Sequence, residues 1–312
     1  MLPTQRGSLR LFRLAGINVY LHWSWFIIAA IEIENRRTQY SSLAWNALEY
    51  VSLFLIVLMH EFGHALACRQ VGGRAEQIVL WPLGGVAYVA PPQRPGATLW
   101  SIAAGPLVNV ILAPIFTGLF IMARELHWQG TDLYSFIRAV FSINLGLLIF
   151  KHLPIYPLDG GQILRSLLWY PLGRARSLMV TAIIGFCGVG AMILLSIAAY
   201  YFGMGGPGIW FIIITAFISL NCLRGLLQAR VLAKLAKMPR REGFACPVCN
   251  QPPLIGPFWI CQKCSSRFDT FQTQGTCAVC AEQFAVTSCP DCGELRPMEE
   301  WIAAAPPPPV LR

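Results

Sequence analysis

Two histidines four residues apart, His60 and His64, flank a glutamate in the run His60-Glu61-Phe62-Gly63-His64. On a helix, residues at this spacing project from one face about a turn apart, so both imidazoles can reach one metal ion. Glu61 then stands where it can take a proton from water activated by that metal. The run lies inside an apolar stretch, where ionisable side chains are costly and mark a functional position unless a packing role explains them.

A catalytic zinc usually takes three protein ligands and leaves its fourth position open. Between Glu61 and Arg241 the acidic residues are Glu76, Glu125, Asp132 and Asp159, and the histidines beyond His64 are His127 and His152. Glu125, His127 and Asp132 fall in an expected external loop, and Glu76 follows the motif too closely to fold back on it. Asp159 sits in Leu153-Pro-Ile-Tyr-Pro-Leu-Asp-Gly-Gly161, where Pro154 and Pro157 break an apolar helix and Gly160 and Gly161 let the backbone come close. Asp159 is the expected third ligand, with His152 as its rival and a helix-end hydrogen bond as the plainer role for His152. Cys68, four residues after His64, is expected to be a small buried side chain rather than a ligand.

A second donor set lies near the end of the sequence. Cys246-x-x-Cys249, Cys261-x-x-Cys264, Cys277-x-x-Cys280 and Cys289-x-x-Cys292 supply thiolates for two tetrahedral four-cysteine sites. Spacing does not fix which pairs share a metal, and neighbouring pairs are the expectation. Zinc is expected, with rubredoxin-like iron open to the same ligands. Such small domains fold on metal binding because their apolar core is too small to hold them.

The elements that must position these groups are apolar. The 312 residues are 55% hydrophobic and 12% charged, against about a quarter charged in an average soluble domain. Stretches at 17–31, 43–68, 99–123, 133–150, 178–202 and 208–227 read as six membrane spans. An even count puts both termini on one side, and the richer share of loop arginine and lysine, including the run from Arg230 to Arg241, makes that side cytoplasmic. The basic loops account for the net charge of +9 without a nucleic-acid partner and suit contact with anionic lipid. Residues 77–90 are β-branched, interrupted by Pro82, Gly84 and Gly85, and read as a strand pair or re-entrant loop lying against protein or at a water-filled cavity. From residue 243 the chain turns polar and cysteine-rich. The expected organisation is an N-terminal segment 1–16, a six-span core 17–242, a zinc-ribbon-like domain 243–298 and a Pro-rich tail 299–312. The fold class is an all-α polytopic membrane protein with a short membrane-associated β-hairpin and a small cysteine-rich domain.

The runs Met59-His-Glu-Phe-Gly-His-Ala-Leu, Ala104-Gly-Pro-Leu-Val-Asn109, Asn144 and Pro154-Ile-Tyr-Pro-Leu-Asp-Gly-Gly161 resemble the site-2 protease family of intramembrane zinc metalloproteases. The resemblance covers most of residues 10–230. It implies a six-span core, zinc held by His60, His64 and Asp159, Glu61 as catalytic base, cleavage of a transmembrane-helix substrate, and a hairpin near the cleft. It suits a multi-pass protein of a prokaryotic cell membrane. The chain departs from the family at Lys151, where many relatives carry asparagine. Lys151 can offer a cationic donor to developing negative charge, although snorkelling to the interface is the favoured role. Asn109 and Asn144 are the remaining amides for substrate or oxyanion contacts, unless they bridge helices. Two other classes stand against a protease: an inactive relative acting as a membrane scaffold, and a metal- or redox-sensing membrane protein.

Overall fold

A computed structural model of the chain describes residues 7–36, 38–81, 84–203 and 208–303. Residues 1–6 of the expected N-terminal segment, Arg37, Pro82 of the strand pair and residues 304–312 of the Pro-rich tail lie outside the described residues. The chain forms two compact units, one built from the residues up to Pro91 and from Pro95 to Leu226, the other from Pro92–Arg94 and the residues after Leu226.

In the first unit, β1 (Ser8–Leu14) and β2 (Ile17–His22) form a hairpin. Its two connecting residues, Ala15 and Gly16, both adopt positive φ, at 49° and 75°, the conformation that matches the twist of paired strands. β3 (Arg74–Trp81) lies parallel to β2, with Asn18 opposite Gln77, and β4 (Gly84–Ala90) returns antiparallel beside β3. The result is a four-stranded mixed sheet in the order β1-β2-β3-β4. The expected hairpin is therefore half of a larger sheet, and the chain is not all-α.

The first expected span is overturned by the same sheet. In Ile17-Asn-Val-Tyr-Leu-His22 the apolar side chains alternate, and Ile17, Val19 and Leu21 are buried on one face. That is the period of a strand. Only α1 (Ser24–Asn35) is helical, and its 12 residues span about 18 Å, too little for the hydrocarbon layer. Because β2 pairs with β3, which follows α2 (Leu43–Gln70), the chain from His22 to Leu43 runs back along α2 as a short helix plus a loop. That loop is fastened to the start of α2, since Arg36 and Tyr40 both donate to Glu49, and to α4 through the Ser41 amide, which donates to Asp132 Oδ1 at 3.0 Å.

Among the described residues five helices are long and apolar enough to cross a membrane, not six. They are α2, α3 (Pro95–Glu125), α4 (Asp132–His152), α5 (Asp159–Tyr201) and α6 (Ile209–Ala236). The even-number argument for the termini does not follow from this count. Large apolar side chains line their outer faces: Leu107, Ile111, Ile115 and Leu119 recur every fourth residue along α3 and are all exposed. A stripe of this kind suits lipid rather than water. Thr131 caps α4 by accepting from the Tyr134 amide at 3.2 Å. α5 bends at Gly173, whose φ of 76° and ψ of 171° are not helical, so a first arm carrying Asp159 is followed by the long apolar arm.

The sheet covers the motif helix. Ile17, Val19, Leu21, Ile78 and Leu80 pack with Val57, Leu58, Ala65 and Cys68 of α2 in one buried cluster. Each buried Val, Leu or Ile among them contributes about 1.5–3 kcal/mol relative to exposure in water. The buried positions bracket residues 60–64, so packing fixes the rotation of α2 that brings Glu61 to β4 and both histidines to α3.

In the second unit the short ladders β5 (Trp259–Ile260) with β6 (Arg267–Phe268), and β7 (Val286–Ser288) with β8 (Leu295–Pro297), precede α7 (Met298–Ala303). Trp259, Phe268, Phe271 and Trp301 make its small core together with cysteines. Arg240 forms a bidentate pair with Asp291, at 2.9 and 3.0 Å, and Arg241 pairs with Asp269 at 2.8 Å.

Candidate metal centre and active site

His60, His64 and Asp159 come together with their ligand atoms within 4.8 Å of one another, and all three are buried. His60 Nε2 lies 3.0 Å from Asp159 Oδ2 and 3.2 Å from His64 Nε2, and His64 Nε2 lies 3.6 Å from the same carboxylate oxygen. Helix α3 fixes which ring nitrogen carries the proton. His60 Nδ1 donates to Asn109 Oδ1 at 2.6 Å, and His64 Nδ1 donates to the Ser101 carbonyl at 2.9 Å. With both Nδ1 atoms serving as donors, both Nε2 atoms present lone pairs. Two lone pairs and a carboxylate oxygen then face one another with no proton of their own to share. This is a donor set for a cation, and imidazole with carboxylate fits Zn2+.

The backbone makes room for this cluster. A Cβ on Gly105 would overlap the His64 ring, and one on Gly63 would come 2.6 Å from the Ala104 carbonyl, so α2 and α3 meet where neither carries a side chain. Asp159 opens α5 and therefore sits at the positive end of its dipole. The turn 153–158 folds over that helix start so tightly that a Cβ on Gly160 or Gly161 would strike its backbone.

The structure gives the two candidate amides a different task from substrate contact. Asn109 and Asn144 are each 1% exposed. Asn109 Nδ2 donates to Asn144 Oδ1 at 2.9 Å, and Asn144 Nδ2 donates to the Asn109 carbonyl at 3.1 Å. The pair orients the Asn109 oxygen toward His60, and neither residue lines the cavity described below. Replacing Asn109 with alanine is expected to weaken metal binding about 10–100-fold with the three ligands intact, measured by zinc competition against a chelator.

Lys151 does not turn to the interface. Its Nζ lies 3.4 Å from Asp159 Oδ2. His152, the rival ligand, is exposed and donates from Nδ1 to the Leu148 carbonyl at 2.8 Å. Cys68 is buried, with its sulfur 3.5 Å from the Arg74 carbonyl, and stands outside the donor cluster.

Glu61, His64, Lys151 and Asp159 all border a cavity of about 1190 Å3, whose wall continues over β4 and the apolar side chains of Trp25, Ile213 and Phe217. Glu61 Oε2 accepts from the backbone amide of Ala87 on β4 at 2.8 Å. Sequence reading missed Ser101 and Ala87, whose backbone groups are independent of side-chain type. It used Gly105 only as part of a motif, although a glycine beside a proline within an apolar helix was a signal of close approach.

The cysteines assemble in nested fashion, the first pair with the last around the two middle pairs, rather than first with second and third with fourth. Cys246, Cys249, Cys289 and Cys292 form one cluster, and Cys261, Cys264, Cys277 and Cys280 the other. The Ser266 hydroxyl lies 3.0 Å from Cys264 Sγ and 3.2 Å from Cys277 Sγ. It holds both thiols below their ordinary range, Cys277 at about 6, which favours the thiolate that binds metal.

Fold and site together define a class: a mostly helical membrane protein with a buried three-residue donor set that could hold a metal ion beside a cavity. Residues 49–127 match the family model for Peptidase family M50. The zinc metalloprotease MJ0392 of Methanocaldococcus jannaschii is 31% identical over 213 residues, covering 68% of this chain and 58% of that protein. The putative zinc metalloprotease Rip3 of Mycobacterium tuberculosis is 30% identical over 229 residues, covering 68% and 57%. The chain thus spans a little over half the length of these relatives. A solved structure, the site-2 protease from Methanocaldococcus jannaschii, aligns at 26% identity over 70% of this chain and 95% of that chain, with a TM-score of 0.48. The family model and the curated relatives make this chain similar to the zinc metalloproteases of Peptidase family M50.

Proposed function

We propose that the chain is an intramembrane zinc endopeptidase that hydrolyses a peptide bond within or near a transmembrane helix of a membrane-protein substrate. The observation that carries this reading is the His60–His64–Asp159 donor set opening, with Glu61, onto a cavity of about 1190 Å3 among apolar helices. Zinc, when bound by these three residues, supplies Lewis acidity toward water and the scissile carbonyl. Glu61 takes the proton from the attacking water and returns it to the leaving amine. Lys151, with its ammonium 3.4 Å from Asp159, offers positive charge where negative charge develops. The substrate must unwind before attack, because a helical peptide carbonyl is already hydrogen-bonded. Strand β4, at the outer edge of the sheet and on the cavity wall, offers a ladder on which an extended segment can pair.

The intact ligands and Glu61 speak against a scaffold, and the broken helix start at Asp159 has no use in a metal or redox sensor. The basic run on α6 and beyond suits a cytoplasmic C-terminal side against anionic lipid, and pairing of β2 with β3 suits an N-terminus on that same side. The archaeal and bacterial sources of the relatives suit a prokaryotic membrane. Residues 243–298 hold two further zinc ions in closed, structural sites, in a domain that recognises substrate or gates the cleft and, with a small acidic excess, does not take nucleic acid. Replacing Cys261 with serine is expected to lose one metal equivalent from this domain and retain that held by Cys246, Cys249, Cys289 and Cys292, read by zinc analysis of purified protein. The function itself is tested with purified protein in lipid and a panel of single-span substrates, alongside Glu61→Gln. Cleavage by the parent protein that is lost in the variant supports it, and no cleavage of any native membrane partner rejects it.

A further inference from the structure

The hairpin strand touches the motif glutamate in two independent ways. The Ala87 amide donates to Glu61 Oε2 at 2.8 Å. A Cβ on Gly85, two residues earlier on the same side of the strand, would fall against the Glu61 carboxylate, with Cδ at 2.7 Å and Oε1 at 2.8 Å. Ala87 stands opposite Ile78 of β3. Since its N–H points to Glu61 it points away from β3, so it belongs to the outward-facing set of backbone groups on this strand. β4 is the outer strand of the sheet among the described residues, and Gly85, Ala87 and Glu61 share the cavity wall.

We infer that β4 positions the general base: the Ala87 amide holds one carboxylate oxygen of Glu61, and the missing side chain of Gly85 leaves the space in which that carboxylate sits. This rests on the proteolytic reading above and deepens it. Ala87 and Gly85 are positioning residues, acting through Glu61. One amide hydrogen serves one acceptor well, so a substrate strand on this edge is not held at Ala87. It pairs on either side of that residue, and the peptide group passing Ala87 is the one presented to Glu61. The strand that receives the substrate thereby also sets the register of the cut relative to the base.

Two variants separate this from a purely structural role. Ala87→Pro deletes the donor without removing a ladder hydrogen bond, because proline is tolerated on an edge strand whose N–H faces outward. Gly85→Ala keeps the donor and fills the carboxylate's space. Gly146→Ala, a helical position with nothing within 4 Å of the added Cβ, controls for glycine replacement as such. Steady-state cleavage of a single-span substrate in lipid, with zinc content measured on the same preparations, is expected to show kcat reduced about 10–100-fold in both variants. KM and zinc are expected to match the parent. A raised KM with kcat intact would assign Ala87 to substrate pairing alone and overturn the inference. Parent-like kcat in both variants overturns it too, as does loss of zinc or of folded protein in both. If the parent protein cleaves nothing, the proteolytic reading itself has failed and the inference falls with it, an outcome recognised because it appears before any substitution.

Discussion

Glu61→Gln is expected to reduce cleavage about 100-fold to 10,000-fold while the metal stays bound. Glutamine preserves the size of the side chain and can still accept from the Ala87 amide through its carbonyl oxygen, so the contact seen at 2.8 Å need not be lost. It cannot take a proton from water. His60, His64 and Asp159 have no hydrogen bond to Glu61 among those that fix their rings, so the donor set survives the change. The two measurements must therefore part: zinc content near that of the parent, and turnover largely gone. Equal loss of both would make Glu61 a structural residue. Unchanged turnover would remove the proposed mechanism altogether.

Asp159→Ala is expected to abolish turnover by the opposite route, through loss of the metal. Asp159 Oδ2 is the atom on which both histidine Nε2 atoms and Lys151 Nζ converge, at 3.0, 3.6 and 3.4 Å. Without it the two imidazoles lose the carboxylate that completes their donor set, and the Lys151 ammonium loses the oxygen 3.4 Å away that offset its charge and is left to repel a second cation. A site reduced from three ligands to two, with Lys151 no longer neutralised, should retain little zinc at concentrations that saturate the parent. Zinc analysis reads the effect directly, and the domain formed after Leu226 provides an internal reference because its cysteine clusters share no ligand with this site. Full catalytic zinc in the variant would reject Asp159 as a ligand.

The motif helix and the carboxylate that joins its two histidines were legible in the sequence because chemistry restricts them. Acids and histidines are so scarce between Glu61 and Arg241 that elimination leads to Asp159, and the structure brings it to the histidines. The first expected span was not legible. Averaged over a window, Ile17-Asn-Val-Tyr-Leu-His22 continues into an apolar helix, and only its alternation betrays a strand whose partner, Gln77–Leu80, lies some 60 residues on. Long-range pairing leaves no local mark. Asn109 and Asn144 were recognised as polar residues of spans, but which way an amide faces depends on the crossing of α3 with α2, fixed by the absent side chains of Gly63 and Gly105. Lys151 shows the same gap: its type permitted either an interfacial or an inward position, and only the fold over Asp159 distinguishes them. The cysteine pairs were equally ambiguous, since identical Cys-x-x-Cys turns carry no label for their partners.

Nesting of those turns has a consequence for synthesis. The clustered thiols Cys261, Cys264, Cys277 and Cys280 are all made before any residue of the Cys289–Cys292 turn, whereas Cys246 and Cys249 must wait for that last turn to leave the ribosome. The domain can therefore close from its middle outward, with the first-made thiols the last to find their partners. A chain that stops between residues 280 and 289 would hold a complete inner site between two unfinished ends.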